Sequence, residues 1–289
     1  MEAAPGSRGV GRVRLAVATA LGSVLGCVLL LAIASSPGAR AGSPGLLPDL
    51  VTMGIKRSDI VVEKRGRHRF LRLSNTVGNR GTAPLDITRG DPGEFGDCAD
   101  GEWEAVQRLF ADENSNGYID GAESHGPPAD ELPFGCMRFH DAPGHLHWHV
   151  LDFARYQLRR ARTGKLIESK KVGFCVIDTE QPFPKLPGTP EKPYYPQDGG
   201  CGGLDKEGQP TPPDSEGLSI GWADVYFFGL PGQSLEITKL RRGRYCLISK
   251  ADPTGLIAES DDSNNTHTVR LKLRPRKLRF KKLHGPCRF

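Results

Sequence analysis

The sequence predicts a mainly β chain, a single antiparallel β-sandwich-like domain with long loops and little helix. Three observations predict it. Apolar and β-branched residues alternate with polar ones in short runs such as "RFLRLSN", "HLHWHVLDFARYQL" and "THTVRLKL", the period of half-buried strands. Gly, Pro, Asn and Asp cluster between the runs, as in "VGNRGT", "RTGK" and "ADPTG", where turns need them. Residues 42–289 contain no internal repeat and no sharp change of composition.

Residues 1–41 stand apart from that domain. Arg8, Arg12 and Arg14 precede an apolar run from Leu15 to Ala34, and Ala39 and Ala41 follow Pro37 at the spacing a signal peptidase prefers. A secretory signal removed after Ala41 is expected. A retained anchor competes with it, because a run of this length could just span a bilayer. Cleavage would leave no stable membrane insertion. It would also leave 35 basic and 33 acidic residues, a nearly neutral chain, and six cysteines: Cys98, Cys136, Cys175, Cys201, Cys246 and Cys287. An even count in an exported chain predicts three disulfides. No Cys-x-x-Cys occurs, which argues against a zinc ribbon or a thioredoxin-like centre.

The clearest helical spacing is in residues 101–112, where Trp103, Val106, Leu109 and Phe110 would share a face. "DENSNGYIDGAE" follows, with Asp112, Asn114, Asn116, Asp120 and Glu123 at the oxygen-ligand positions of an EF-hand loop, Gly117 at its turn and the Tyr118 carbonyl between. A calcium site is expected; a polar loop of Asx turns that binds nothing is the bland alternative. The prolines after Glu123 discourage an exit helix, so a structural ion in an insert at about 98–136 is expected rather than a sensor. Cys98 and Cys136 bracket that insert and are candidates to bond.

"GHLHWHV" carries His145, His147 and His149 at alternate positions. On a strand these share one face, with Leu146, Trp148 and Val150 behind. Imidazole nitrogens suit copper, zinc, iron or nickel and not calcium. Three ligands would leave coordination positions free, as catalytic metals require. A metal-free histidine row is the alternative. A zinc hydrolase would need a carboxylate base, for which Asp152 is available.

Next come the strand "LIESKKVGFCVI" and a Pro- and Gly-rich loop over 182–213, whose base Cys175 and Cys201 could staple. "WADVYFF", "SLEIT", "RYCLIS" and "THTVRLKL" complete the strands. The basic end, "RLKLRPRKLRFKKLHGPCRF", allows a nucleic-acid reading, but export argues against it. A solvated last strand and C-terminal strap is expected, able to draw in acidic surfaces.

From "HLHWH", through "KVGFCVIDT" and "DVYFFGLPGQSLEIT" to "GLIAESDDSNN", the chain resembles the catalytic domain of the lysyl oxidases, copper amine oxidases. "PDLV" at 48–51 resembles the start of that domain. The resemblance implies a copper site on the histidine triplet and a lysine tyrosylquinone built from Lys171 and Tyr226. Lys170 replaces Lys171 if the register slips by one. It also implies oxidation of a primary amine, free or on a protein lysine, to an aldehyde by molecular oxygen, with release of hydrogen peroxide and ammonia. Asp152 is the candidate base. A second calcium site would transfer to Glu259, Asp261, Asn264 and Asn265, closed by Asp49 and the Leu50 carbonyl. The chain departs from the family pattern at Ala142, where a further histidine is usual, with His140 displaced. Several family disulfides lack their cysteines, and the 112–123 loop is an addition. These departures imply a distant, bacterial member. The competing class is a secreted, calcium-stiffened metal-binding module that makes no quinone.

Overall fold

Strands form where the sequence alternates. The first are β1 (Leu50–Thr52), β2 (Ile60–Arg65), β3 (His68–Leu73), β4 (Asn75–Asn79), β5 (Leu85–Arg89) and β6 (Glu102–Leu109). A one-turn helix, α1 (Gly121–Ser124), precedes the long β7 (Asp130–His140), β8 (His147–Arg160) and β9 (Leu166–Phe174). β10 (Gly203–Leu204) and β11 (Pro210–Thr211) make a small hairpin before β12 (Glu216–Leu218), β13 (Ala223–Tyr226) and β14 (Ser234–Glu236). β15 (Gly243–Ala251), β16 (Thr266–Arg274) and β17 (Arg279–Leu283) close the order. This is a computed structural model, and it describes residues 45–90, 98–141, 146–198 and 200–287. The expected signal at 1–41, Ala142 and His145 lie outside the described residues.

The largest sheet runs β12-β5-β6-β7-β8-β15-β16-β17, with β9 also on β8; β1-β4-β13 and β14-β3-β2 are smaller sheets. All these pairings are antiparallel, so the mainly β, antiparallel expectation holds. One buried cluster joins them: Val150, Tyr156, Leu247 and Leu271 come from the large sheet, and Leu50, Val77, Leu71 and Leu235 from the small ones. Among the described residues no helix is long and apolar enough to cross a membrane.

The helix expected over 101–112 does not form. Those residues make β6, between β5 and β7. The centre of the strand is buried on both faces, at Glu104, Ala105, Val106 and Gln107. The Gln107 side chain donates to the Ala258 carbonyl (2.9 Å) and accepts from the Ala258 amide (2.8 Å), as a neighbouring backbone would. Partners more than a hundred residues away outweigh the local spacing.

All six cysteines after the expected signal are bonded, as Cys98–Cys136, Cys175–Cys201 and Cys246–Cys287. The second staples the base of the 182–213 loop. That loop backs onto the histidine strand, where the Trp148 amide donates to the Cys201 carbonyl (2.9 Å).

Candidate active site

β7 and β8 pair so that His140 opposes His147 and Arg138 opposes His149. Directly opposed residues stand on one face, and His147 and His149 share it by the strand's period. The structure thus gathers His140, His147 and His149. The His149 ring lies 5.1 Å, centroid to centroid, from both His140, which it stacks on, and His147. Behind them Trp148 and Val150 are buried, and Trp148 meets Trp103 and Phe139 edge to face. Leu146 is exposed. Burial, and secondarily the neighbouring His140, pulls the His147 pKa down and favours the neutral imidazole, the form that binds metals.

Tyr226 reaches this group from β13. Its ring meets His149 edge-on at 6.3 Å and stacks on Phe174 at 3.8 Å, nearly parallel. The phenol oxygen accepts from the Cys175 amide at 2.6 Å. Asp224, two residues earlier on the same strand, is buried, as is Glu216, which accepts from the Val176 amide (3.1 Å). Burial raises both carboxyls well above the usual range, and also raises the Tyr226 phenol, to which Asp224 and Glu216 add. Burial thus favours the protonated form of both acids and of the phenol.

The two lysines diverge, because successive residues of a strand point to opposite faces. Lys170 opposes the buried Tyr156 on the face that also carries Val172 and Phe174. Burial, with the Arg72 charge, lowers its pKa. Lys171 is on the exposed face, its Nζ 2.5 Å from Asp152 Oδ2. Asp152 occupies the irregularity in β8 where the β9 register shifts, at a φ of 58°. A cleft of about 210 Å³ is lined by His140, His149, Lys170, Lys171 and Gly173, among others. Both lysines therefore border the histidines, while only Lys170 shares a strand face with the ring that Tyr226 stacks on.

The two oxygen-rich loops are also assembled. In the first, Asp112 accepts from the Asn116 and Gly117 amides, Asn114 donates to Asp120, and the Asn114 and Asp120 amides donate to Glu123. Asn116 accepts from the Tyr118 amide, and Asp120 caps α1 through a capping box with Glu123. In the second, Asn264 donates to Asp49 and Asp261, Asn265 to Glu259, and the Leu50 amide to Glu259. Burial first, then the Asp262 neighbour, raises Glu259 to about 8.

Sequence reasoning missed His140, Phe174, Glu216 and Asp224 as neighbours of the site. The turn-forming "DAPG" between two β runs was the signal that could have folded His140 back onto His147. Asp224 could have been read from its i−2 relation to Tyr226. Nothing local marks Glu216.

A lysyl oxidase family model matches residues 197–282. Human (Homo sapiens) lysyl oxidase homolog 1 is 32% identical over 123 residues, 42% of this chain and 18% of that relative. Protein-lysine 6-oxidase of Sus scrofa is 30% identical over 132 residues, 45% of this chain and 44% of the relative. Lysyl oxidase homolog 3B of Danio rerio is 28% identical over 123 residues, 42% and 13% respectively. The match spans less than half the length of each of these curated relatives.

Proposed function

We propose, from the match of residues 197–282 to the lysyl oxidase family model and the likeness to curated relatives, that this chain is a secreted, copper- and quinone-dependent amine oxidase. The observation that carries the reading is the Tyr226 ring edge against His149, which joins a phenol to an imidazole cluster. Copper would be held by His145, His147 and His149, and neutral imidazoles fit it. Copper and a quinone made from Tyr226 and Lys171 would supply the oxidation of a primary amine or protein lysine by oxygen and water to an aldehyde, ammonia and hydrogen peroxide.

The chain's own residues prepare that chemistry. Phe174 fixes the plane of Tyr226, and the Cys175 amide fixes its oxygen. Asp152 now holds the Lys171 ammonium. Were the Lys171 amine taken up in the quinone, Asp152 would lose its cation and stand as a free carboxylate placed to accept the substrate's α-proton. Lys170 is a second reading for the cofactor lysine, supported by its inward face beside Phe174.

Calcium is the proposed ion for Asp112, Asn114, Asn116, Tyr118, Asp120 and Glu123, and for Asp49, Leu50, Glu259, Asp261, Asn264 and Asn265. Oxygen donors suit it. Neither a nucleic acid nor a membrane is part of the proposed function.

The test is a peptide map by mass spectrometry after maturation with copper and oxygen, with phenylhydrazine as quinone trap. A Tyr226 peptide cross-linked to Lys171 and carrying the hydrazine adduct is expected. A cross-link to Lys170 would select the second lysine. Unmodified peptides from fully copper-loaded protein would overturn the oxidase reading in favour of a metal-binding module.

A further inference from the structure

In an antiparallel sheet, opposed residues stand on the same face. Arg244 of β15 opposes Lys272 of β16, which opposes Lys281 of β17 on its other side. Arg274 opposes Arg279 one rung further, and Arg270 stands two residues back on the same face of β16. The other face of these strands turns Tyr245, Leu247, Leu271 and Leu273 into the core. Like charges directly opposed across strands cost up to about 1 kcal/mol per pair. Two successive rungs carry that cost.

No ion pair offsets it among the described residues: none of these six side chains forms one, and no Asp or Glu follows Asp262 in the chain. Two open clefts flank the rungs. One, of about 420 Å³, is lined by Arg241, Arg242, Arg274, Arg276 and Lys277. The other, of about 620 Å³, is lined by Arg160, Arg162, Lys165, Arg244 and Arg270. Neither lining includes an acid. The Cys246–Cys287 bond and an Arg270 donor to the His284 carbonyl (3.4 Å) tie the C-terminal strap back to the sheet.

We propose that this face binds a linear anionic polysaccharide. The cations form a grid, about 4.8 Å between strands and roughly 6.8 Å along them, which suits an extended chain with repeated sulfate or carboxylate groups. Three disulfides belong to an oxidising compartment, where such polymers are met. The opposed columns of this face carry no aromatic ring, the platform that single-stranded nucleic acid requires. The inference does not depend on the amine oxidase reading.

The experiment is titration of the full, disulfide-bonded protein with fluorescein-labelled heparin at several salt concentrations, alongside a duplex DNA of equal charge. The triple variant Arg270→Gln/Lys272→Gln/Arg274→Gln is expected to bind roughly 30-fold more weakly at low salt. Its log Kd against log salt slope should be shallower by about three, one per lost cation. Its Tm should not fall, because relief of the like-charge opposition at Lys272 and Arg274 offsets the exposed Arg270 bond to the His284 carbonyl. The exposed pair Arg279→Gln/Lys281→Gln should show a smaller loss in the same direction. Lys185→Gln/Lys192→Gln/Lys206→Gln, in the 182–213 loop, removes the same charge and should leave affinity within twofold. Retained affinity in the first variant, equal loss in the loop variant, or tighter binding to DNA than to heparin at matched salt would overturn the proposal.

Discussion

Asp178 shows what burial does to a single group. Its carboxylate accepts from the Ser219 hydroxyl (2.5 Å), the Ser219 amide (3.0 Å) and the Tyr195 amide (3.3 Å). Desolvation still outweighs these bonds and lifts its pKa from 3.8 to about 6. The folded state therefore holds its proton longer than the unfolded chain does. The stabilisation is complete below pH 4 and is lost as pH rises through 6, about 3 kcal/mol in all. Urea unfolding at pH 4 and pH 7 should show this difference between the parent and Asp178→Asn, which removes the titration. At Tyr226, replacement by Phe deprives the Cys175 amide of its buried acceptor and should cost about 1–3 kcal/mol. The same variant should abolish the hydrazine adduct while leaving copper content unchanged, measured by metal analysis beside the mass spectrum. The alternate spacing of His147 and His149 gave their common face directly. The divergence of Lys170 and Lys171 also follows from period two, but which of them faces the core depends on β9 lying on β8.

At the scale of elements, β6 and the loop behind it carry opposite lessons. β6 depends on distant partners: Gln107 is fully buried and its side chain bonds both backbone groups of Ala258. Gln107→Leu removes the partners of two half-buried backbone groups and should destabilise by about 1–3 kcal/mol, read from chemical denaturation. Helical spacing there misled because an apolar residue every third or fourth position describes composition as well as conformation. The 112–123 loop is local, closed by contacts between residues two to nine positions apart. Its pattern could therefore be read from the sequence. Calcium should raise Tm and EGTA should lower it again, and Glu123→Gln should remove the part of the shift that belongs to this loop, with calorimetry as the check.

For the whole molecule, three disulfides close loops of 26 to 41 residues around a core shared by several sheets. Cys98→Ser with Cys136→Ser frees the segment holding the 112–123 loop and should cost about 4 kcal/mol through the entropy of the unfolded chain. Thermal unfolding with and without calcium should report it, and the loss should be the larger of the two without the ion. The active-site candidates gather because β8 is central, with β7, β9 and β15 all paired to it.

By itself the sequence determined the β class, the turn positions, the parity of the six paired cysteines, the oxygen-rich 112–123 loop and the common face of His147 and His149. Cysteine parity is a count, and the rest is set by neighbours within a few residues, where period and turn chemistry act. Only the tertiary structure decided that residues 101–112 are a strand, that His140 joins His149, that Tyr226 stacks on Phe174, and that Arg244, Lys272 and Lys281 stand side by side. Those facts depend on strand pairing between distant segments, and pairing is chosen by the burial of the whole sheet rather than by any one stretch of the chain.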